Sequence, residues 1–339
     1  MPQSPDITVV VCTHNRAESL RQALASLYDL KTGGRFTYEV LVVDNASPDH
    51  TPAVIQAAAQ ESKAPLRGVH EPQKGIVAAR NRGVLEATGQ WIAFFDDDQL
   101  ADRSWLLELH TTAEEQQVRS VGGAVHLKLP AGCERKLTPL VRTLLGESRW
   151  SEATIPFTRS TSPGAGNWLL DRKLIVEAGM FQAANQGRNE DSDLYRRICL
   201  AGETSWFVAA AIVHHIITPD RLEVPYLLRL ARIVGEFVAL RELSLDGRAK
   251  FVLLWLLKGL RAALVYAPRW LLARSLRRKE EALELRCLLE IQRAYLRQGC
   301  TLLTSRAAIA GQPTEKVIRV TCPSDISLVC TSSPRSSIS

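Results

Sequence analysis

The stretch Trp91–Leu100, with the sequence WIAFFDDDQL, joins five apolar residues to three consecutive aspartates. An uninterrupted apolar run is typical of a strand that is buried on both faces, as in a parallel sheet. Asp96, Asp97 and Asp98 would then lie at the carboxyl end of that strand, where open α/β sheets bind ligands. Adjacent carboxylates repel one another unless a cation lies among them, and hard oxygen ligands suit Mg²⁺ or Mn²⁺. Taken alone, the stretch also fits an acidic turn that caps the next helix.

Two earlier apolar runs end in polar residues in the same way. Ile7–Cys12 is followed by the polar group Thr13–Arg16, and Tyr38–Val43 is followed by the turn Asp44–Asp49. Helical patterns separate the strands, so the chain predicts βαβ units and a mainly parallel sheet flanked by helices. The carboxyl ends of parallel strands meet at one edge of a sheet, so we expect the three polar groups to converge. This convergence favours a ligand site over a capping turn.

Composition limits the classes of protein to which the chain can belong. The 339 residues are 46% apolar and 23% charged with a formal net charge of +6, which is ordinary for a folded protein with a sizeable core. The seven cysteines are scattered and form no CxxC pair, which argues against a disulfide framework or a zinc site and favours a reducing cytosol. The N-terminal stretch MPQSPDITVVV lacks a basic start, so we expect no secretory signal.

The C-terminal third interleaves cations with long aliphatic side chains, a pattern that does not favour nucleic-acid binding. Phe251–Leu272 is strongly apolar, but its internal cations and Pro268 make it a poor transmembrane span. One interpretation is a helix lying in an anionic membrane surface with its cations at the head groups; the other is a helix docked on the rest of the protein. The cations fall on one helical stripe, formed by Lys250, Lys258, Arg261 and Arg269.

Six segments occur in an order that resembles the family 2 glycosyltransferases, which have the GT-A fold. The resemblance covers about residues 6–217 and leaves the C-terminal third outside. Each segment alone carries little information, whereas the ordered set is specific. The segments are VVVCTHNR (Val9–Arg16), VVDNASPD (Val42–Asp49), KGIVAARNRG (Lys74–Gly83), FFDDD (Phe94–Asp98), GNWLLDRKLIVEAGMF (Gly166–Phe181) and NEDSDLYRR (Asn189–Arg197).

The resemblance implies a nucleotide-sugar site in the N-terminal half of the chain. Asp44 corresponds to the acid that accepts a hydrogen bond from a uracil ring N–H. Arg80 corresponds to a donor to base or phosphate, with a surface helix cation as the alternative. The side chains expected to contact the donor are Thr13, Asn15, Arg16, Asp44, Arg80, Asp96 and Asp97.

The same resemblance implies a divalent metal, Mn²⁺ or Mg²⁺, at a DxD motif whose outer members are Asp96 and Asp98. His214 or His215 would be a further metal ligand, with His215 preferred. Such a metal bridges the pyrophosphate and stabilises the leaving nucleotide as a Lewis acid. The metal ligands are therefore expected to be Asp98, Asp96 and His215.

Asp191 matches the catalytic base of the family, which takes the proton of the acceptor hydroxyl in an inverting transfer. Spacing alone does not exclude a retaining reaction, and acids in the first turn of a helix are also favoured by the helix dipole. For Trp168 a buried core position is an alternative to stacking on a sugar. The acceptor-binding residues are expected to be Gly166, Asn167, Trp168 and Glu190.

The sequence therefore predicts a glycosyltransferase that moves a sugar from a UDP- or dTDP-sugar to a lipid-linked or polysaccharide acceptor, in the cytoplasm or peripherally on the cytoplasmic face of the membrane. The alternatives are a sugar nucleotidyltransferase, disfavoured because the first loop, CTHNRAES, lacks glycine, and a non-catalytic nucleotide-sugar-binding subunit. The expected domains are a GT-A domain at 1–219, with a donor half at about 1–129 and an acceptor half at about 160–219, a helical extension at 220–310 and a disordered tail at 311–339.

Overall fold

The computed structural model describes residues 4–133, 137–158, 161–182 and 190–304, without the side chains of residues 245 and 246. The predicted tail at 311–339 lies outside the described residues. The strands are β1 (Ile7–Thr13), β2 (Tyr38–Asp44), β3 (Leu66–His70), β4 (Trp91–Asp96), β5 (Gln99–Ala101), β6 (Ser120–Lys128), β7 (Ile155–Pro156), β8 (Asn167–Asp171) and β9 (Trp206–Ile216). The helices are α1 (Ala17–Leu27), α2 (Thr51–Glu61), α3 (Ile76–Glu86), α4 (Trp105–Glu115), α5 (Pro139–Leu144), α6 (Arg172–Glu177), α7 (Glu190–Leu200), α8 (Val224–Arg261), α9 (Ala267–Ser275) and α10 (Lys279–Thr304).

The described strands form one sheet in the order β3-β2-β1-β4-β8-β6-β9-β5, with β7 paired to β9. The half built from β1 to β4 is parallel, as predicted. The other half is mixed, because β8 runs antiparallel to both β4 and β6, and β5 runs antiparallel to β9. The prediction of a mainly parallel sheet therefore holds only where the polar clusters lie.

Successive residues of the parallel strands are buried on opposite faces of the sheet, which explains their uninterrupted apolar runs. Val9 and Val11 belong to one core, under α1, α2 and α4. Val10 belongs to a second core, with residues of α3 and α7. Gly83 allows α3 to lie close to β1, because a Cβ at this position would be 2.4 Å from Cγ1 of Val10.

The segment Trp206–Ile217 was predicted as a pair of strands but forms the single strand β9, which ends at Ile216. Its parallel pairing with β6 shifts register between Gly123 and Ala124, which face Val208 and Ile212. An irregularity of this kind bends a strand without ending it. The continuous strand brings its far end beside β5, where His215 pairs with Gln99.

The start of α8 is docked on the sheet-containing part of the protein. Leu227 and Ala231 of α8, with Cys287 of α10, are buried in one cluster with Val141 and Ile217. The extension thus packs against the rest of the protein through the start of α8, outside the stretch Phe251–Leu272 to which the two interpretations apply.

The second part of the extension exposes an apolar surface, which we call the leucine face. The long helix α8 is interrupted at Gly247, where φ is +76°, and the exposed residues follow this break. Within Gly247–Ser275 an 18-residue window has a mean hydropathy of 1.5, and this is, among the described residues, the one helical stretch long and apolar enough to cross a membrane. The leucine face consists of Leu253, Leu256, Leu257, Leu260, Leu264, Val265, Leu271, Leu272 and Leu276.

Of the four cations in the predicted basic stripe, three are exposed, and Lys258 is partly buried within the extension. Nζ of Lys258 donates to Oε1 of Glu242 at 2.6 Å and lies 4.1 Å from the ring centre of Tyr295 in α10. Arg269 lies 3.6 Å from Glu281, at the start of α10. These two cations are therefore paired within the helical extension, whereas the leucines face outward.

Candidate active site

The polar clusters that end β1, β2 and β4 meet at one edge of the sheet. In the strand register Thr13 lies beside Asp44, and Cys12 lies beside Asp96. The clusters border an open cleft of about 570 Å³. The charged side chains that line this cleft are Arg16, Lys74, Asp96, Asp97, Asp98 and Arg221.

Asp97 connects the aspartate run to the loop after β1. Its Oδ2 accepts from the hydroxyl of Thr13 at 2.7 Å, and its Oδ1 accepts from Nη1 of Arg16 at 2.9 Å. Burial raises the pKa of Asp97, and the charge of Arg16 and the hydrogen bond from Thr13 oppose that rise. In this structure the polar atoms of Asp97 and Thr13 contact each other and fix the loop, while both residues line the cleft; their contact with the donor stays a prediction.

Asp98 lies between two arginines and a histidine. Its Oδ2 accepts from Nη2 of Arg221 at 2.8 Å and from Nη1 of Arg16 at 3.2 Å, and lies 3.5 Å from Nε2 of His215. Burial alone would raise the pKa of Asp98, but the contacts with His215 and Arg221 outweigh it and hold the pKa well below its usual range. Asp98 is therefore an anion that accepts from two arginines and lies beside a histidine.

Asp96 has its pKa raised, in contrast to Asp98. Burial raises its pKa to about 6, with repulsion from Asp98 and Asp97 adding to the effect and the charge of Arg80 opposing it. Gly166 packs directly against this carboxylate, since a Cβ there would be 2.1 Å from Oδ2 of Asp96. The predicted acceptor-side glycine is therefore in contact with the predicted metal ligand.

Arg80 is buried rather than exposed, which excludes the surface-cation alternative. Its Nη1 forms a short ion pair with Oε1 of Glu190, and its Nη2 lies 4.0 Å from Oδ1 of Asp96. Its guanidinium also lies over the ring of Phe181 at 5.5 Å. The predicted contact of Arg80 with the donor is corrected accordingly: the guanidinium joins α3 to the first turn of α7.

Asp191 follows Glu190 at the start of α7. Its Oδ1 accepts from the backbone N–H of Ser192 at 2.7 Å, and its Oδ2 accepts from that of Ala165 at 3.4 Å. Burial raises the pKa of the neighbouring Glu190, an effect that the charge of Arg80 opposes and that of Asp191 reinforces. The loop before β8 and the first turn of α7 thus meet at the predicted base.

Asn167 and Trp168 do not face the cleft, which corrects their predicted acceptor contacts. The Trp168 ring is fully buried and its Nε1 donates to the hydroxyl of Ser120 at 2.9 Å. The Asn167 amide accepts from Nε1 of Trp105 and donates to the carbonyl oxygens of Ala124 and Ala211. Both side chains are therefore part of the core, the alternative that the sequence left open for Trp168.

Asp44 and Asn15 are sequence neighbours of residues that line the cleft, but they are not part of its lining. Oδ1 of Asp44 accepts from the backbone N–H of Ser47 at 3.1 Å, and its Oδ2 is 3.9 Å from Nδ1 of His70. The backbone N–H of Asn15 donates to the hydroxyl of Ser47 at 2.9 Å. The turn after β2 thus holds both the carboxylate of Asp44 and the backbone of Asn15.

The two histidines of β9 differ in position. Nε2 of His214 is 3.0 Å from Oδ1 of Asp102, whereas His215 lies at the aspartate run. A carboxylate oxygen and an imidazole nitrogen 3.5 Å apart fit a divalent metal that completes its shell with phosphate oxygens and water. Among the residues that the structure describes, no group of three or more His, Cys, Asp or Glu is arranged to hold a metal ion. The residues that would hold a divalent metal are therefore the pair Asp98 and His215. That Asp96 is a further ligand stays a prediction.

The sequence reasoning missed Arg221, which follows β9 and lies beyond the segments that carry the resemblance. Lys74 and His14 also line the cleft, and their segments were recognised without a role for these residues. Nothing in the local sequence distinguishes Arg221 from other arginines, because only the turn of the chain after β9 brings it to Asp98.

A family model described as Glycosyl transferase family 2 matches residues 8–158, the segment that contains β1, β2, β4 and the aspartate run. The chain contains a family 2 glycosyltransferase domain. It is similar to the succinoglycan biosynthesis protein ExoM of Rhizobium meliloti, with 27% identity over 66% of this chain and 71% of ExoM. It is also 32% identical to the glycosyltransferase AglE of Haloferax volcanii over 38% of this chain and 42% of AglE. The match thus spans well under two thirds of AglE.

Solved glycosyltransferase structures share the fold. A mannosyltransferase from Pyrobaculum calidifontis, in complex with GDP-Man and Mn²⁺, superposes with a TM-score of 0.55 at 19% identity, over 89% of this chain and 88% of the other. GalNAc-T7 with UDP, GalNAc and Mn²⁺ superposes with a TM-score of 0.52 at 17% identity, over 73% of this chain and 52% of the other. The predicted GT-A fold is confirmed for this glycosyltransferase.

Proposed function

We propose that the protein transfers a sugar from a nucleoside diphosphate donor to a lipid-linked or polysaccharide acceptor, with inversion at the anomeric carbon. The observation that carries the proposal is that the buried guanidinium of Arg80 lies between the aspartate run and the first turn of α7. It is 4.0 Å from Asp96 on one side and pairs on the other side with Glu190, the residue before the candidate base Asp191. In this proposal residues 1–219 are the catalytic domain and the helices that follow are an extension.

In the proposed reaction Asp191 accepts the proton of the acceptor hydroxyl as its oxygen attacks the anomeric carbon. Arg80 holds Glu190 and so orients the first turn of α7, which carries Asp191. Gly166 allows the loop before β8 to lie directly against the carboxylate of Asp96. A divalent metal, held by Asp98 and His215 with Asp96 beside them, would supply Lewis-acid stabilisation of the leaving diphosphate.

For the donor we propose a uridine or thymidine diphosphate sugar. Asp44 has a carboxylate that is largely buried beside the cleft, and one of its oxygens is engaged by Ser47. The other oxygen is available to a pyrimidine ring N–H. The solved neighbours bind different nucleotides, GDP-Man in one and UDP in the other, so the fold alone leaves the base open.

The donor assignment is tested by titrating UDP, dTDP and GDP into the protein by calorimetry, with and without Mn²⁺. We expect the two pyrimidine nucleotides to bind more tightly than GDP and to require the metal. Asp44→Asn should remove most of the difference between UDP and GDP. Tightest binding of GDP would overturn the donor assignment and leave the rest of the proposal standing.

A polysaccharide or lipid-linked acceptor is supported by two observations. ExoM, the relative matched over most of its length, is named for succinoglycan biosynthesis. The leucine face of this chain would place the domain at a bilayer, where lipid-linked intermediates lie. We propose that the leucine face inserts its side chains just below the head groups, on the order of 5–10 Å, so that the protein is peripheral on the cytoplasmic face.

The ion pairs of the helical extension change how the protein is expected to bind lipid vesicles. Because Lys258 and Arg269 pair with Glu242 and Glu281, insertion should depend on the leucines more than on anionic lipid. The full chain should therefore sediment with neutral vesicles as well as anionic ones, and salt should weaken binding only slightly. Vesicle binding that is confined to anionic lipid and lost at high salt would contradict this mode.

A further inference from the structure

Arg221 makes the most direct contact with the predicted metal ligands, and the proposed reaction gives it no role. It lies in the 3₁₀ turn Pro219–Leu222 immediately after β9. Its backbone N–H donates to the carbonyl oxygen of Thr218 at 3.0 Å, and the next residue, Leu222, is buried in the cluster that docks α8. The turn is thus anchored on one side, and its arginine points to the cleft on the other.

The guanidinium of Arg221 bridges two groups that a metal would use. Nη2 donates to Oδ2 of Asp98 at 2.8 Å, and Nη1 lies 2.7 Å from Nε2 of His215. An arginine has only donors, so Nε2 of His215 must be the acceptor in this contact. Nδ1 of the same ring is 2.9 Å from the carbonyl oxygen of Leu145, to which it can then donate. This tautomer leaves on Nε2 the lone pair that would ligate a metal.

One cation can bridge Oδ2 of Asp98 and Nε2 of His215 at a time. The two atoms are 3.5 Å apart, and the guanidinium bonds to both. The side chain of Arg221 is only 16% exposed, compared with 47% for Arg16, so its contact with Asp98 is the better shielded from solvent. A shielded, bidentate arginine contact is stronger than an exposed one.

We propose that Arg221 acts as a counter-cation at the metal site while no metal is bound. Arg221 then releases Asp98 and His215 to the divalent metal and binds the diphosphate of the donor. The inference rests on the proposed function. With Oδ2 of Asp98 taken by the metal, the guanidinium, which lines the same cleft, would be released to bind the diphosphate. Its planar fork matches phosphate oxygens. The same residue therefore opposes binding of the metal alone and favours binding of the metal together with the nucleotide.

The opposite signs of these two effects give a test that a purely structural arginine would not pass. Mn²⁺ alone is titrated and the free ion is followed by electron paramagnetic resonance; UDP is then titrated by calorimetry at saturating Mn²⁺. Arg221→Gln should bind Mn²⁺ about tenfold more tightly, because the competing cation is gone, and should bind UDP about tenfold or more weakly. Arg221→Lys, which keeps the charge but lacks the planar fork, should move both affinities in the same directions by less.

Arg35→Gln is the matched control, since it removes an arginine that is paired with Glu114 and half exposed, away from the cleft. It should change neither affinity. Should Arg221→Gln fail to fold, as judged by circular dichroism, Arg221→Lys carries the test. Unchanged or weaker Mn²⁺ binding in the folded variants overturns the proposal. If the wild-type chain binds no nucleoside diphosphate with Mn²⁺, the proposed function fails instead. The titration with Mn²⁺ alone still reports the competition between Arg221 and the metal.

Discussion

The edge of the sheet and the leucine face distribute charge in opposite ways. At the sheet edge, acids and arginines are drawn together into a shielded site, and the apolar side chains lie behind them in two cores. In the helical extension, Lys258 and Arg269 are paired with acids of the extension itself, and large apolar side chains are left in solvent.

The difference indicates what each surface is built to meet. Burying charges requires hydrogen-bonded partners, and such clusters are common at sites that bind charged ligands. Exposing nine large apolar side chains on one stretch gains nothing for a protein that meets only water. We therefore associate the first surface with a charged donor and the second with an apolar environment.

The largest effect is expected from Asp98→Asn at the sheet edge. The amide keeps the size of the side chain but removes the anion that would hold the metal, so UDP binding in the presence of Mn²⁺ should fall by about 10³-fold, the several kcal/mol that a metal contributes. Asp29→Asn, which alters an exposed ion pair with Lys63 and Arg103, is the control and should bind UDP normally. Calorimetric titration measures both; equal binding by Asp98→Asn and wild type would remove Asp98 from the metal site.

Arg80→Leu should have the next largest effect, on stability. The substitution leaves Glu190 buried without its partner, so the free energy of unfolding should fall by about 3–5 kcal/mol. Arg82→Leu, in the same helix, removes an exposed ion pair with Glu86 and should cost about 0.5 kcal/mol. Denaturant unfolding compares the two variants. A loss below 1 kcal/mol, roughly, for Arg80→Leu would show that the pair with Glu190 is not buried in solution.

Gly166→Ala should have an intermediate effect that is local to the site. The added methyl group would overlap Oδ2 of Asp96 and force the carboxylate or the loop before β8 to move, which costs about 1–3 kcal/mol. Gly164→Ala is the matched control, because an added Cβ there meets nothing within 4 Å. Unfolding and UDP titration are measured for both. Identical behaviour of the two alanine variants would mean that Asp96 and Gly166 are not packed as described.

The double variant Leu256→Glu and Leu260→Glu tests the leucine face. We expect it to have the smallest effect on the fold and a large effect on vesicle binding. Both side chains are exposed, so the free energy of unfolding should change by about 0.5 kcal/mol or less. Flotation with vesicles should be lost, since each leucine contributes about 1.5–3 kcal/mol when buried in lipid. Leu85→Glu, on an exposed leucine of α3, is the control and should still float. Unchanged flotation of the double variant would separate the leucine face from the membrane.

Much of the fold could be predicted from the sequence because the parallel half of the sheet is built from units that are continuous along the chain. Each βαβ unit is marked in the sequence by an apolar run, a polar end and a helical pattern. After the turn Asp44–Asp49 this pattern predicts a helix from about Thr51 to Glu61, and α2 has these bounds. The mixed half was not predicted, because the pairing of β8 with β4 depends on chain reversal over a long segment. The continuity of β9 was missed for the same reason.

The sequence predicted which residues belong to the candidate site better than it predicted what their side chains contact. The ordered motifs identified Asp96, Asp98 and His215, and the structure brings these residues to one edge. Trp168 and Asn167 lie in a recognised motif, but their side chains face the core. Their orientation depends on which face of β8 packs against Ser120. Arg221 could not be found, because no pattern in its neighbourhood records that the chain turns back to Asp98.

The most direct measurement of the central claim is turnover of nucleotide sugars by the full chain with Mn²⁺, compared with Asp191→Asn. The wild-type protein should release a nucleoside diphosphate from at least one UDP- or dTDP-sugar, and release should rise when an acceptor is present. Asp191→Asn should bind UDP as the wild type does, while transfer falls by about 10²–10⁴-fold because the general base is gone. Release of a nucleoside triphosphate on adding pyrophosphate would identify a nucleotidyltransferase instead. Full transfer by Asp191→Asn, or no turnover of any nucleotide sugar by the wild type, would contradict the account.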